Sequence, residues 1–492
     1  MTSPPPTLND LPSELVALIY SFLDDSSTLV TRFTSRHIER ATLSTFGHRF
    51  FRKKGYLVTT PSLNVLAQVS QHEDLRQHVQ HVWFNPDCFT FVQPDCAPDA
   101  QEAPDPDDPD SILQLLSPSD RRQYEAFQAV KVDHSRLLAR SGRELESVLK
   151  PIFAALPNLK IIGMRRSENY APWGWRQLQE SVGEDPRVLG LIFSGPMYCL
   201  SEPTRLFLAL VNAVAATPSM KIRRFYTDVI EVDNIRPELL KQETLNRACA
   251  GIWYLEINIA KAWLRRREEA EHIMLSNPEH FGNGLIRLLK ATAELKEIGL
   301  QIFSERRQPG RSAPPLRDAY PYLCFRNLVE SVQLPHLTRI KLEEIVTTPD
   351  TLCAFLTPSA SHLASLKIRH LRLLSDPEKD PKPWRPVFAF LLAFCPALEH
   401  LYLYRLLWEE GGVSFFEPPQ VAHPAASTSG SLQRIEERFD VEYDSLALQI
   451  DGRREMLGKL GALVEGHWYT KQRYSYHMDV GGWDTDTSDE EW

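Results

Sequence analysis

Two hydrophobic patterns divide the chain near residue 55. Before it, apolar residues recur at steps of three and four, as in amphipathic helices; beyond residue 75 they recur as L-x-x-L-x-L, typical of short strands with alternate side chains in a core. We therefore expect a helical module over residues 8–55 and a strand-helix region over residues 56–475. Residues 1–7 and an acidic tail at 476–492 are expected to be disordered.

The segment LNDLPSELVALIYSFLDD, residues 8–25, carries clear helix-start signals. Asp10 is predicted to cap this helix, and Pro12 falls in its first turn, where the missing N–H costs no hydrogen bond. Its apolar stripe comprises Leu11, Leu15, Ile19, Phe22 and Leu23, widened by Val16 and Leu18. A second helix is predicted from Ser26 or Ser27 with an apolar face of Leu29, Val30, Phe33 and Ile38, and a third through Leu43, Phe46, Phe50 and Phe51.

This module resembles the F-box, the helical module that docks a Skp-type adaptor in cullin-RING ubiquitin ligases. The resemblance is carried by Leu8, Leu11-Pro12, Glu14-Leu15, Ile19, Phe22-Leu23, Asp24 and Leu29, while Phe50 and Phe51 stand where the family often has a tryptophan. It implies adaptor contacts through Leu8, Leu11, Pro12, Leu15, Ile19 and Leu23, with Phe22, Leu29 and Phe33 holding the module together. The alternative is an N-terminal helical hairpin packed on the following domain.

Strand patterns recur through the rest of the chain, with middle residues 26 to 45 apart from Leu159 onward. The copies are Val79-Val82-Phe84, Leu156-Leu159-Ile161, Val188-Leu191-Phe193, Ile222-Phe225-Thr227, Ile252-Leu255-Ile257, Leu295-Ile298-Leu300, Leu337-Ile340-Leu342, Leu363-Leu366-Ile368, Leu398-Leu401-Leu403 and Tyr443-Leu446-Leu448. Helical segments such as EPTRLFLALVNAVAA lie between them, which predicts a parallel sheet with helices on its outer side.

The alternating units resemble irregular leucine-rich repeats, which commonly follow an F-box, especially in fungal proteins. The predicted fold is therefore an α+β or α/β repeat, a three-helix module followed by an irregular solenoid of strand-helix units. Many such repeats place asparagine after the strand, where this chain has Met164, Phe303, Ile345, Leu371 and Leu406. An apolar side chain cannot satisfy backbone N–H groups, so we expect the turns to close by other means. A generic α/β domain is the alternative.

Three segments rich in proline, glycine, serine and charge are predicted to be flexible insertions: residues 94–111, 304–319 and 409–431. In the acidic tail, Thr487 and Ser488 each precede a glutamate by three residues, the spacing that acidophilic kinases favour. They are candidate phosphorylation sites, and a merely solubilising tail is the alternative.

The charge distribution argues against nucleic acid as a partner. The net charge is −9, but residues 94–110 and 479–492 carry thirteen acidic groups, which leaves the remaining body near +4. Such a body gives no large basic field. No apolar run is long enough to span a membrane and no secretory signal is present, so an intracellular protein, cytoplasmic or nuclear or both, is expected. The seven scattered cysteines fit reduced thiols.

Motifs for catalysis are absent from the sequence: it has no glycine-rich phosphate loop and no G-x-S-x-G elbow, so we expect no enzyme, no catalytic residues and no cofactor. His78 and His81 lie three apart on a predicted strand, which does not favour a metal site. Trp173, Trp175 and Arg176 are weak candidates for substrate contact, since exposed aromatic and arginine side chains anchor interfaces. The tryptophans could equally pin their loop to the core.

The F-box and leucine-rich-repeat resemblances together imply the substrate-recognition subunit of an SCF-type cullin-RING ubiquitin ligase. The module would bind a Skp-type adaptor, and through it a cullin, while the repeat region binds an unknown substrate protein. The alternatives are a non-catalytic repeat scaffold acting outside ubiquitin transfer and an enzyme whose site the sequence does not reveal.

Overall fold

The computed structural model describes residues 7–87, 89, 118–166, 171–183, 201–260, 280–303, 319–374, 382–408, 411–415 and 447–472. The chain forms two compact units, Met1–Phe303 with Glu330–Leu337, and Ser304–Val329 with Thr338–Trp492. Each unit is α/β and carries a mostly parallel sheet, as the alternation of strand and helix patterns predicted.

The first unit begins with three helices, α1 (Ser13–Ser21), α2 (Asp25–Arg32) and α3 (Arg36–Phe51). Asp10 does not cap α1; the Thr7 N–H and hydroxyl donate to its carboxylate (2.7 and 2.8 Å), which closes a 3-10 turn over Leu8–Asp10. The first helix therefore starts after Pro12, and α2 starts at Asp25, one or two residues earlier than predicted.

The sheet of this unit contains six parallel strands in chain order. They are β1 (Lys53–Leu57), β2 (His81–Asn85), β3 (Ile161–Met164), β4 (Arg224–Ile230), β5 (Tyr254–Ile259) and β6 (Glu297–Ile302). The helices are α4 (Thr60–Gln71), α5 (Pro118–Ala154), α6 (Trp175–Val182), α7 (Ser201–Ala215), α8 (Gln242–Cys249) and α9 (Asn283–Lys290). Strand β1 was not predicted and begins before residue 55; Val188-Leu191-Phe193 lies outside the described residues.

Large and small residues alternate across one row of this sheet. Gly55 pairs with Trp83, Trp83 with Gly163, and Gly163 with Tyr226. A Cβ atom on Gly55 would collide with the Trp83 ring, and one on Gly163 with the Tyr226 ring. Each aromatic ring thus lies over the glycine of a neighbouring strand, and the two glycines make that packing possible.

Helix α5 contains two residues in the left-handed backbone conformation, Ser141 and Gly142, whose φ angles are +63° and +78°. A Cβ atom on Gly142 would lie 2.7 Å from the carbonyl oxygen of Arg205 and 2.8 Å from the Cβ of Ala209, both on α7. Glycine therefore serves two purposes here, since it adopts the left-handed conformation and lets the two helices approach closely.

The main sheet of the second unit has three parallel strands, β7 (Arg339–Glu343), β9 (Ser365–Arg369) and β11 (His400–Tyr404). The strand predicted around Leu448, β14 (Ala447–Asp451), pairs with β11 in the antiparallel direction, which corrects the prediction of a purely parallel sheet. The helices are α10 (Ala319–Ser331), α11 (Pro349–Leu356), α12 (Trp384–Phe394) and α13 (Arg453–Glu465).

A second small sheet closes the turns of this unit. It contains β8 (Val346–Thr347), β10 (Arg372–Leu373), β12 (Leu407–Trp408), β13 (Gly411–Ser414) and β15 (Tyr469–Gln472). The Arg372 N–H donates to the Ile345 carbonyl, and the Leu407 N–H to the Leu371 carbonyl, both at 2.8 Å. Ile345, Leu371 and Leu406 are fully buried. Backbone hydrogen bonds between the turns that follow successive strands thus take the place of bonds from asparagine side chains. The apolar residues at these positions predicted that the turns would close without asparagine.

The predicted insertions are described only in part. Strand β13 lies within 409–431, so residues 411–414 are not loop, and Ala319 opens α10 at the end of 304–319. Residues 94–111 and the tail at 476–492, with Thr487 and Ser488, lie outside the described residues, as do residues 1–6.

Candidate protein-binding surfaces

The N-terminal module presents an apolar face to solvent. Phe22 and Phe33 are 81% and 88% exposed, and five further large apolar side chains are between 41% and 66% exposed. Those five are Leu15, Leu18, Ile19, Leu29 and Val30. All seven belong to α1, α2 or the residue that ends either helix. Apolar exposure concentrated on two successive helices is typical of sites that bind another protein.

The interior of the module is built from other residues. Val16 and Tyr20 on α1 and Ile38 on α3 are at most 3% exposed. The Tyr20 hydroxyl donates to the carbonyl oxygen of Thr28 at 2.9 Å, and this bond joins α1 to α2. A helix of nine residues turns only one narrow stripe toward its neighbours, and Val16 with Tyr20 supplies that stripe at i, i+4 spacing.

The expected adaptor contacts all reach the surface of the module. Pro12, Leu15 and Ile19 are exposed, and Leu8, Leu11 and Leu23 are half-buried. The expectation that Phe22, Leu29 and Phe33 hold the module together is wrong. Sequence periodicity identified the apolar stripe, but the prediction assigned its buried and exposed sides incorrectly. The interior contains two polar residues, Thr28 and Thr42, beside Tyr20, and a search for apolar residues alone does not find them.

Arg49 of α3 fixes the connection between α1 and α2. Its guanidinium donates to the carbonyl oxygen of Leu23 at 2.5 Å and to the carboxylate of Asp25 at 2.7 Å. Asp24 accepts from the Ser27 N–H at 2.8 Å and so caps α2. The exposed residues of the two helices are therefore presented on a backbone that hydrogen bonds hold in place.

The segment around Trp173 does not form the surface that its composition suggested. Trp175 is buried among Leu57, Phe89, Phe127, Leu178 and Val182, so it cannot anchor a partner. Trp173 pairs with Tyr56 beside β1, and its carbonyl oxygen accepts from the Ser62 hydroxyl at 2.7 Å. Arg176 is exposed and pairs with Glu180 at 2.8 Å. Pinning of the loop, the alternative interpretation, describes both tryptophans.

A second surface lies on the strands of the second unit. Alternate residues of β7, β9 and β11 are buried, and those between them face away from this core. The outward residues, here called the strand face, are Arg339, Lys341, Glu343, Ser365, Lys367, Arg369, His400, Tyr402 and Tyr404. The variable positions of L-x-x-L-x-L could have identified these residues, but sequence analysis did not single them out.

Aromatic rings and cations of the strand face stack on one another. Tyr402 and Tyr404 lie 6.4 Å apart in a nearly parallel arrangement. The Lys367 ammonium is 5.0 Å from the Tyr402 ring, and the Arg369 guanidinium is 5.7 Å from the Tyr404 ring. Arg405, directly after β11, lies 5.1 Å from the same ring. The face therefore combines positive charge with rigid aromatic area.

Two open clefts of the first unit show no sign of catalytic chemistry. Their volumes are about 220 and 540 Å³. The ionisable side chains that line them, Lys290 and His336 in one and Arg205, Arg236 and Glu238 in the other, are all exposed. Catalytic groups are usually tuned by desolvation, which an exposed side chain does not experience.

His81 bonds to the hydroxyl of Tyr226 at 2.8 Å rather than to His78. Within the described ranges, no group of three or more histidine, cysteine or acidic side chains could hold a metal ion. No helix in the same ranges is long and apolar enough to cross a membrane. Compared with known proteins, the chain matches no family and no curated protein.

Proposed function

We propose that the protein is an F-box-type substrate-recognition subunit of an SCF-type ubiquitin ligase. The observation that supports this most is the apolar face of α1 and α2, with seven exposed large apolar side chains on a module of about 45 residues. Leaving such a face in water is unfavourable, and a partner's apolar helices would remove it from water. The residues expected from the F-box resemblance, Leu15 and Ile19 among them, lie on this face.

In this proposal the protein catalyses no bond chemistry. The module binds a Skp-type adaptor that connects to a cullin, and a surface farther along the chain binds the substrate. Holding a substrate near a ubiquitin-charged enzyme raises the effective concentration of the reacting groups. The irregular leucine-rich-repeat solenoid belongs to the same proposal, and the repeated order of helix, strand and buried turn residue supports it.

The test is affinity purification of the tagged full-length chain, comparing wild type with Leu15→Asp combined with Ile19→Asp. Both side chains are exposed, so the substitutions remove little core packing, while two carboxylates on the apolar face oppose docking. We expect adaptor and cullin to co-purify with wild type and adaptor recovery to fall by about tenfold or more in the double variant.

Val132→Asp is the matched control, since Val132 is 64% exposed on α5 of the same unit. It should retain the adaptor. Wild-type adaptor recovery with the double variant would contradict the proposal. Recovery of adaptor without cullin would instead favour the alternative function, a repeat scaffold acting outside ubiquitin transfer.

A further inference from the structure

The strand face of the second unit has the opposite charge from the whole chain. The chain carries a net charge of −9. The strand face contains four cations, Arg339, Lys341, Lys367 and Arg369, and a single carboxylate, Glu343. Asp451 on β14 lies beside His400 at 3.0 Å, at the edge of the face. Cations on the two adjacent strands β7 and β9 thus produce a local positive potential on an acidic protein.

Glu343 carries one negative charge against the four positive charges of the face. It lies 3.6 Å from Lys341 and 3.7 Å from Arg369, both beyond good hydrogen-bond distance. The face therefore keeps more positive than negative charge, with four cations against one carboxylate, and this favours an anionic ligand.

Backbone pairing fixes the spacing of these groups. Tyr404 is in register with Arg369 and Glu343, and Tyr402 with Lys367 and Lys341. Strands lie about 4.8 Å apart, so each row presents its groups at nearly regular intervals across the sheet. Tyrosine and arginine are enriched in protein interfaces because they give large contact areas at low cost in side-chain entropy. The rows suit an extended segment with repeated anionic side chains.

We propose that the strand face binds an anionic peptide segment, rich in carboxylates or phosphorylated side chains, of another protein. This proposal depends on the proposed function in one respect: if the protein is a substrate-recognition subunit, the anionic segment belongs to the substrate. Nucleic acid fits less well. Four cations with an interspersed glutamate offer few phosphate contacts, whereas nucleic-acid binding draws on many.

The binding assay uses the full-length protein and fluorescein-labelled peptides of twelve residues. One alternates glutamate with glycine, a second replaces two glutamates with phosphoserine, and a third carries lysine in place of glutamate. We expect both acidic peptides to bind, with affinity falling as salt is added, and the lysine peptide not to bind. Tighter binding of the phosphoserine peptide would indicate phosphate as the preferred group, and comparable binding would indicate carboxylate.

The variant Lys367→Glu with Arg369→Glu should weaken binding of the acidic peptides by about tenfold or more. The matched control is Arg453→Glu with Arg454→Glu, which makes the same change in net charge at exposed positions of α13. It should bind as wild type does. If the first variant fails to fold, Lys341→Gln with Lys367→Gln removes two charges without reversal and should weaken binding in the same direction.

Several outcomes would overturn the proposal. They are failure of both acidic peptides to bind, equal loss in the α13 control, and tighter binding of a single-stranded oligonucleotide than of either acidic peptide. Binding that appears only after removal of residues 476–492 would show that the chain's own acidic tail occupies the face. The assay contains no adaptor, so its failure is distinguishable from failure of adaptor binding in the affinity purification.

Discussion

A single carboxylate, Asp133, joins α5 to the start of α4. Its oxygens accept from the N–H and the hydroxyl of Thr60, both at 2.6 Å, and from Arg136 at 2.8 Å. Burial alone would raise the pKa of Asp133, but the hydrogen bonds from Thr60 and Arg136 outweigh burial and lower the pKa. The charged form is therefore the one that the folded protein stabilises.

The sign of the pH dependence follows from that lowered pKa. The contribution of Asp133 to stability is present above about pH 4, the ordinary aspartate pKa, and is lost as pH falls through the lower folded pKa. Asp133→Asn should reduce the free energy of unfolding by about 1–2 kcal/mol at pH 7, and by less at pH 3. Urea unfolding at pH 7 and pH 3 measures the loss of stability, and Asp74→Asn, at an exposed position, is the control. A loss in Asp133→Asn that is equal at the two pH values would contradict the prediction.

At the scale of elements, the sequence pattern located buried positions better than it located surfaces. L-x-x-L-x-L correctly marked Leu401 and Leu403 as buried, because a strand covered by helices on one side alternates strictly. Strand β1 reads Lys-Lys-Gly-Tyr-Leu and lacks that pattern, so nothing in the sequence separated it from a loop. In the module, both sides of α1 carry apolar residues, and only the packing of α3 decides which side is buried.

The turn that follows β9 in the second unit gives a prediction about stability. Leu371 is fully buried, and its carbonyl oxygen already accepts from Leu407. Asparagine is common at this position of leucine-rich repeats. Leu371→Asn should nevertheless lower the free energy of unfolding by about 2–4 kcal/mol, because the side-chain amide gains no hydrogen-bond partner and the packing of the leucine is lost. Thermal or urea unfolding tests this. Leu457→Asn, at a half-exposed position of α13, should change stability little; similar losses in the two variants would contradict it.

At the scale of the molecule, the two compact units each contain a buried thiol that reports on folding. Burial raises the pKa of Cys249 in the first unit to about 12, and that of Cys395 in the second unit to about 12. The thiolate is the reactive form, so at pH 8 only about one thiol in ten thousand would be reactive at either site.

Iodoacetamide labelling at pH 8, followed residue by residue with mass spectrometry, should therefore leave Cys249 and Cys395 unmodified in the folded protein. Both should become reactive when urea unfolds the unit that holds them, because the pKa then returns to about 8.5. The urea concentrations at which the two sites become labelled measure the stability of each unit separately. Rapid labelling of either thiol without denaturant would contradict the burial of that thiol.

The alternating row of Gly55, Trp83, Gly163 and Tyr226 has a consequence for how this sequence can change over generations. A larger residue at Gly55 would be tolerated only if Trp83 became smaller first or at the same time, and the same coupling links Gly163 with Tyr226. In diverged relatives these positions should therefore vary as pairs, with total side-chain volume preserved across each strand boundary while the identity of either partner drifts.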